Sequence, residues 1–130
     1  MSIDMEQFRQ TYLEESFEGL EIMESGLLEL TPGAADSESI NTIFRAAHSI
    51  KGGGATFGFT DVTEFTHVIE TLLDQMRSEQ RDVTEHIVDL LLSSVDCLHE
   101  IFDDLNSDKE LNRERINDLQ QQLKAALDGE

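Results

Sequence analysis

The chain has 130 residues, enough for one domain around one hydrophobic core. Its 28 acidic residues against 9 Lys and Arg give a formal net charge of −19, which repels phosphate backbones and anionic lipid headgroups and argues against nucleic-acid and membrane partners. The start MSIDMEQF has no apolar h-region, no run approaches the roughly 18 apolar residues of a membrane span, and the single cysteine cannot form an internal disulfide, so a cytoplasmic location is expected.

Apolar residues recur at three- and four-residue spacing almost throughout, and the strict alternation of a half-buried strand is nearly absent, so the pattern is all-α. A first helix is expected over 4–30, with Met5, Phe8, Tyr12, Leu20, Met23, Leu27 and Leu30 on one stripe, ended by TPGAAD. Asp36 or Ser37 can cap a second helix over 37–55, whose inner side carries Ile40, Ile43, Phe44, Ala47, Ile50 and Gly54 before the pattern breaks at Gly58. The third, over 61–78, presents Val62, Phe65, Ile69, Leu72, Leu73 and Met76, and its opening Asp61-x-x-Glu64 resembles a capping box. Thr84 can cap a fourth helix over 84–105, with Ile87, Val88, Leu91, Leu92, Val95, Leu98 and Ile101 or Phe102 facing in. Cys97 falls in this stretch, where a small buried thiol is the ordinary reading. The last stretch, over 110–127 with Leu111, Ile116, Leu119, Leu123 and Leu127, is more polar and suits an accessory helix. Short connections between long amphipathic helices predict a single domain over 1–130: an antiparallel four-helix bundle with the fifth helix appended.

The stretch FRAAHSIKGGGATFGF, residues 44–59, departs from what stability alone would select. Each glycine of its GGG run costs a helix interior about 1 kcal/mol relative to alanine. At about 100° per residue, His48 falls roughly 110° from the centre of the second helix's apolar stripe, at its half-exposed edge. Lys51 and Gly52 lie beside it on the following turn, Phe44 and Arg45 on the preceding one. The glycines are expected to leave the approach to the imidazole open. A lone histidine beside an apolar stripe is commonly a satisfied boundary residue. Here, however, Arg45 and Lys51 are the only Lys or Arg between residues 10 and 76, and both lie within a turn of His48. In so acidic a chain they make a local positive spot suited to an anion with several oxygens, such as a phosphoryl group.

If the second and third helices form an antiparallel hairpin around TFGFT, residues at one height have numbers with a constant sum. The numbers of His48 and Glu70 add to 118, as do those of Lys51 and His67, and half of that sum falls on Phe59 in the turn. Glu70 flanks its own stripe in the same rotational sense as His48, so the two face each other. A carboxylate accepting a hydrogen bond from one ring nitrogen fixes the tautomer and leaves the other nitrogen the better nucleophile. His67 points farther from the core and suits a surface position at least as well as a place in this network. Phe57 and Phe59 serve as turn anchors or as part of a docking surface, with burial favoured.

The stretch FRAAHSIKGGGATFGF resembles the phosphorylation-site helix of histidine-containing phosphotransfer (HPt) domains, in particular those at the N-terminus of CheA-type chemotaxis histidine kinases. The likeness extends to THVIETLLDQ and to the five-helix plan, and the triple glycine departs slightly from the more usual small-residue order after the lysine. The resemblance implies that His48 accepts a phosphoryl group from a separate CheA-type kinase catalytic domain and passes it to an aspartate of CheY-like or CheB-like response regulators. It implies that Lys51, His67 and Glu70 form the hydrogen-bonding group around His48, and that regulators are recognised on the surface around Phe44, Arg45 and Gly52. No cofactor or metal is expected to be bound by this domain. No glycine-rich nucleotide box occurs in the sequence, so ATP is expected to be used by the separate catalytic domain. The ending AALDGE fits a stand-alone relay protein or a piece of a longer kinase, and closeness to the CheA pattern favours the latter.

Two other classes compete. Glu64-x-x-His67 and Asp96-x-x-His99 have the carboxylate–histidine spacing of di-metal bundles, but Glu64 lies away from its helix's apolar stripe and the second helix offers no inward carboxylate. A non-catalytic bundle docking partners through its acidic surface leaves the cation pair and the glycines unexplained.

Overall fold

The computed structural model describes residues 3–129 and contains five helices: α1 Ile3–Glu29, α2 Ser37–Thr56, α3 Thr60–Arg77, α4 Glu85–Asn106 and α5 Arg113–Leu127. Among the described residues there is no strand, and no helix is long and apolar enough to cross a membrane. α1 packs against α2 and α4, α2 against α3, and α5 lies across α3 and α4, closing the side where those two touch least. The result is the all-α bundle with an appended fifth helix that the periodicity predicts. One core runs through it, with Leu13, Leu20, Met23, Ile43, Phe65, Leu72, Leu91, Phe102 and Leu123 all but solvent-free. Each such side chain contributes roughly 1.5–3 kcal/mol. Cys97 is buried within it, and Ile101 and Phe102 both face in.

Several expectations shift. Met5 and Phe8 are 55% and 58% exposed rather than part of the core stripe. The buried row of α1 runs Leu13, Ser16, Leu20, Met23, Leu27, Leu30 in steps of three and four, so its continuation towards the N-terminus is Arg9, not Phe8. The polar Ser16 conceals that row from a hydrophobicity pattern. Arg9 is half-buried; its guanidinium donates to the Leu105 carbonyl at 3.2 Å and lies over the Phe59 ring at 5.4 Å, tying α1 to the end of α4 and to the α2–α3 turn. Phe44 and Leu92 are half-buried flank residues rather than core. α5 begins at Arg113, leaving Leu111 half-buried ahead of it.

The capping box at Asp61 does not form. α3 starts one residue earlier, with Phe59 at the cap position, and the Asp61 carboxylate pairs instead with Arg113 at the start of α5. Asp36 stands at the cap of α2 but accepts from the Ser39 hydroxyl instead of a backbone amide. Thr84 does cap α4, accepting from the Ile87 amide at 3.1 Å, and Asn112 does the same for α5 with Arg115.

The α2–α3 turn, residues 57–59, sets the height at which the two helices face each other. The Phe59 amide donates to the Gly54 carbonyl at 2.8 Å and the Gly58 amide to the Ala55 carbonyl at 3.3 Å, the two bonds of a Schellman ending. That ending needs a left-handed residue, and Gly58 supplies it with φ +74°. Phe57 and Phe59 are half-buried and stack on Tyr12 with ring centroids 5.5 and 6.0 Å apart, so they anchor the turn to α1. The Tyr12 hydroxyl donates to the Ile50 carbonyl at 2.7 Å, and burial pushes its pKa up to about 12.

Tyr12 also accounts for two of the three consecutive glycines. A Cβ on Gly53 would fall on the Tyr12 ring, and one on Gly54 would press on the Tyr12 hydroxyl, Thr63 and Val62 at 3.1–3.2 Å. These glycines let α1 and α3 approach α2; they do not clear the way to His48. Only Gly52 has open space where a Cβ would stand. Gly53→Ala is therefore expected to lower the unfolding free energy by about 1–3 kcal/mol despite the better helix former. Gly52→Ala is expected to raise it by about 0.5–1 kcal/mol. Urea unfolding followed by circular dichroism measures both.

Candidate functional site

His48 sits on the flank of α2 that faces α3, with its side chain 64% exposed. Across the hairpin, Glu70 of α3 stands at its height: His48 Nδ1 lies 3.1 Å from Glu70 Oε2. A carboxylate oxygen has no proton to give, so Nδ1 carries the hydrogen and Nε2 keeps a free lone pair on the exposed side of the ring. The other carboxylate oxygen, Oε1, accepts from Lys51 Nζ at 2.8 Å. Glu70 is only 13% exposed and Lys51 24%, so the acid is sunk between the two helices and spends both oxygens on α2. Burial alone would raise the Glu70 pKa. The hydrogen bonds from Lys51 and His48, with the charges behind them, outweigh burial and hold the carboxyl below its ordinary value.

The hairpin register places Glu70 opposite His48 as the common sum requires, but it does not carry the other pair. His67 is exposed, and its ring enters no hydrogen bond among the described residues; only its carbonyl is used, by Thr71. Lys51 turns from it towards Glu70 because an ammonium gains an ion pair there and gains nothing from an imidazole, and its long stem spans the extra turn. The local positive spot is accordingly smaller than the sequence suggests, since the Lys51 charge is matched by Glu70. Arg45, exposed on the turn before His48, makes no ion pair among the described residues. Among those residues no cluster of His, Cys, Asp and Glu is placed to hold a metal ion, and Glu64 is exposed on α3.

Arg77, Asp74 and Asn41, to which the sequence reading gives no role, join the site through Phe44. Phe44 lies parallel to the His48 ring, 6.1 Å between centroids and 11° between planes. The Arg77 guanidinium covers Phe44 at 3.6 Å from the ring centre, and is itself held by Asp74 at 2.8 Å and Asn41 at 2.7 Å. The signal was present: the numbers of Phe44 and Asp74, and of Asn41 and Arg77, also add to 118, so the row through His48 and Glu70 continues one and two turns up the hairpin.

A helical hairpin that presents a carboxylate-bound imidazole to solvent at its edge defines a class of histidine-bearing bundles, and the comparisons place the chain within it. The sequence profile of the Hpt domain matches residues 7–129, and the chain belongs to the Hpt domain family. It is similar to the chemotaxis protein CheA of Klebsiella aerogenes, 44% identical over 95% of this chain and 19% of that protein. CheA of Salmonella typhimurium is 44% identical over 85% of the chain and 16% of that protein. CheA of Rhizobium meliloti is 36% identical over 98% of the chain and 17% of that protein. The chain thus spans less than a fifth of the length of these relatives. Among solved structures, the phosphorylated P1 domain of CheA3 from R. sphaeroides, crystallised with CheY6, shares the fold with a TM-score of 0.73 at 23% identity, over 89% of this chain and 94% of that one.

The depressed Glu70 pKa has a sign in the stability curve. An acid whose folded pKa lies below its unfolded value stabilises the fold above the unfolded pKa, and that contribution is lost as pH falls through the folded one. Urea unfolding of the wild type between pH 7 and 3 is expected to lose stability through the carboxylate range faster than Glu70→Gln does. Parallel acid limbs for the two proteins would contradict the assignment.

Proposed function

We propose that the chain is a phosphoryl carrier of a two-component chemotaxis system, with His48 as the group that is phosphorylated. One observation carries the reading: an exposed imidazole whose Nδ1–H is bound to Glu70, leaving the Nε2 lone pair free and facing solvent. Family membership and the CheA relatives support it.

In the first step, Nε2 attacks the γ-phosphorus of ATP held by a separate CheA-type kinase catalytic domain. The N–P bond forms, the bond to the β-phosphate oxygen breaks, and ADP leaves. The ring, still carrying its Nδ1 proton, gains positive charge, which the Glu70 carboxylate offsets at 3.1 Å. Lys51, on the turn beside His48, supplies a donor to the phosphoryl oxygens while keeping its link to Glu70. In the second step an aspartate oxygen of a CheY-like or CheB-like response regulator attacks the phosphorus. The P–N bond breaks, and the electron pair returns to Nε2, restoring the neutral ring. ATP belongs to the catalytic partner, and this domain binds no cofactor or metal of its own. The reaction belongs in the cytoplasm. His67 takes no part in it.

The regulator approaches across Phe44, Arg45 and Gly52. Gly52 supports this face: nothing inside the domain requires a glycine there, so its cost to the helix of about 1 kcal/mol goes to keeping the surface beside His48 low.

Incubation with a CheA-type catalytic domain and ATP is expected to give acid-labile, alkali-stable label on the wild type and none on His48→Gln. Glu70→Ala is expected to take label more than about tenfold more slowly, since the tautomer is no longer fixed. Label retained in His48→Gln would end the proposal. Gly52→Leu is expected to melt no lower than wild type yet transfer its phosphoryl group to the regulator about tenfold more slowly. Stopped-flow measurement of transfer checks this arm.

A further inference from the structure

A hydrogen bond between His48 Nδ1 and Glu70 fixes one point of the imidazole but not its plane: the ring can still rock about the N···O line, sweeping Nε2 through an arc. A second restraint is needed to aim the nucleophile, and the structure holds one. The Phe44 ring lies nearly parallel to the imidazole and offset from it, 6.1 Å between centroids, a stacking geometry that favours this plane of the ring over others. Phe44, however, is a half-buried flank residue, free on its outer side to swing away from the helix.

Arg77 removes that freedom. Its guanidinium stacks 3.6 Å from the Phe44 ring centre, and two planar anchors set its own orientation: Nε donates to Asp74 at 2.8 Å and Nη1 to Asn41 at 2.7 Å. The anchors come from both helices of the hairpin, so the cation is fixed to the frame that holds His48 and Glu70. In a chain with 9 Lys and Arg against 28 acids, this one has an aromatic face and two polar partners at once. Phe44 lies on the flank of the core and Arg77 on its outer side, rather than among the fully buried side chains.

We infer that Arg77 is a positioning residue for phosphoryl transfer, acting through Phe44 to hold the plane of the His48 ring so that Nε2 meets the incoming phosphorus in line. Among the described residues the Arg77 side chain bonds Asp74 and Asn41 and stacks on Phe44, with no hydrogen bond to the imidazole, so its proposed effect reaches the nucleophile by way of the aromatic ring. The inference rests on the reading of His48 as the phosphoryl acceptor.

The test compares wild type, Arg77→Ala, Arg77→Lys, Phe44→Leu and the Arg77→Ala/Phe44→Leu double variant by two readouts. One is the rate of labelling by a CheA-type catalytic domain with ATP; the other is the NMR shifts of the His48 ring protons, which sense the Phe44 ring current. Arg77→Ala is expected to label about tenfold more slowly, with the His48 ring protons moved towards their positions in Phe44→Leu. Arg77→Lys keeps the charge without the planar fork and is expected to recover part of both. The double variant is expected to label within about twofold of Phe44→Leu alone, because the two residues act in series. Arg77→Ala labelling at the wild-type rate, unmoved ring protons, or a double variant slowed by the product of the two single effects would each overturn the inference. Should Arg77→Ala fail to fold, Asn41→Ala, which frees one guanidinium anchor, is expected to show the same ring-proton movement in smaller degree; unmoved protons there overturn it equally. A wild type that takes no label at all would sink the carrier reading itself, a result separable from all of these.

Discussion

The carboxylate of Glu70 is the constraint on which the site depends. It is nearly buried, and a buried charge is tolerated only when it is paired and hydrogen-bonded. Both of its oxygens are used, one by an ammonium and one by an imidazole, and both donors come from the facing helix. The division of labour follows from the chemistry of the donors. Lys51 brings a full charge, and its hydrogen bond together with that of His48 outweighs burial and holds the carboxyl below its ordinary value. His48 Nδ1 thus faces a carboxylate acceptor, which fixes the tautomer of the ring.

That pairing requires residues on two helices to meet at the right height, and the height is set elsewhere. Gly58 closes α2 with a left-handed residue, the two Schellman hydrogen bonds fix where α3 departs, and the stack of Phe57 and Phe59 on Tyr12 locks the turn against α1. A slip of one residue at this turn would rotate Glu70 by about 100° away from His48. Gly53 and Gly54 belong to the same device, because Tyr12 reaches its place only where α2 has no side chains. The glycine run thus has two functions that its sequence does not separate. Two of its members preserve the hairpin geometry, and the third leaves the outer surface bare.

The fold and the central pair were legible because they depend on periodicity and on one short turn. Helical spacing located five helices, and a constant sum across a tight hairpin located Glu70 opposite His48. What was not legible depends on packing choices that periodicity does not encode. Ser16 interrupts the apolar row of α1, so Met5 and Phe8 looked like its continuation when Arg9 is. The sum rule gives positions and not partners, so it set Lys51 beside His67 although the ammonium gains more from the carboxylate one turn away. Arg77 lies one residue beyond the stretch in which Arg45 and Lys51 are the only cations, and its stack on Phe44 depends on a rotamer that periodicity does not encode. Asp61 matched a cap motif yet serves an inter-helix ion pair, because the helix starts one residue before the motif does.

The overall charge completes the physical account of a carrier. At −19, the domain repels polyphosphate anions, and the one ammonium hydrogen-bonded within the His48–Glu70 group is matched by Glu70. Under the proposed function, a phosphoryl group on His48 would add negative charge to a surface already acidic, beside an ammonium already paired with Glu70. Arg45 is left without an ion pair among the described residues. Few counter-charges therefore surround His48, which suits the proposed relay better than a site built for tight binding. A fully basic pocket would bind the phosphoryl group more tightly and, by the same free energy, slow its departure to the next acceptor.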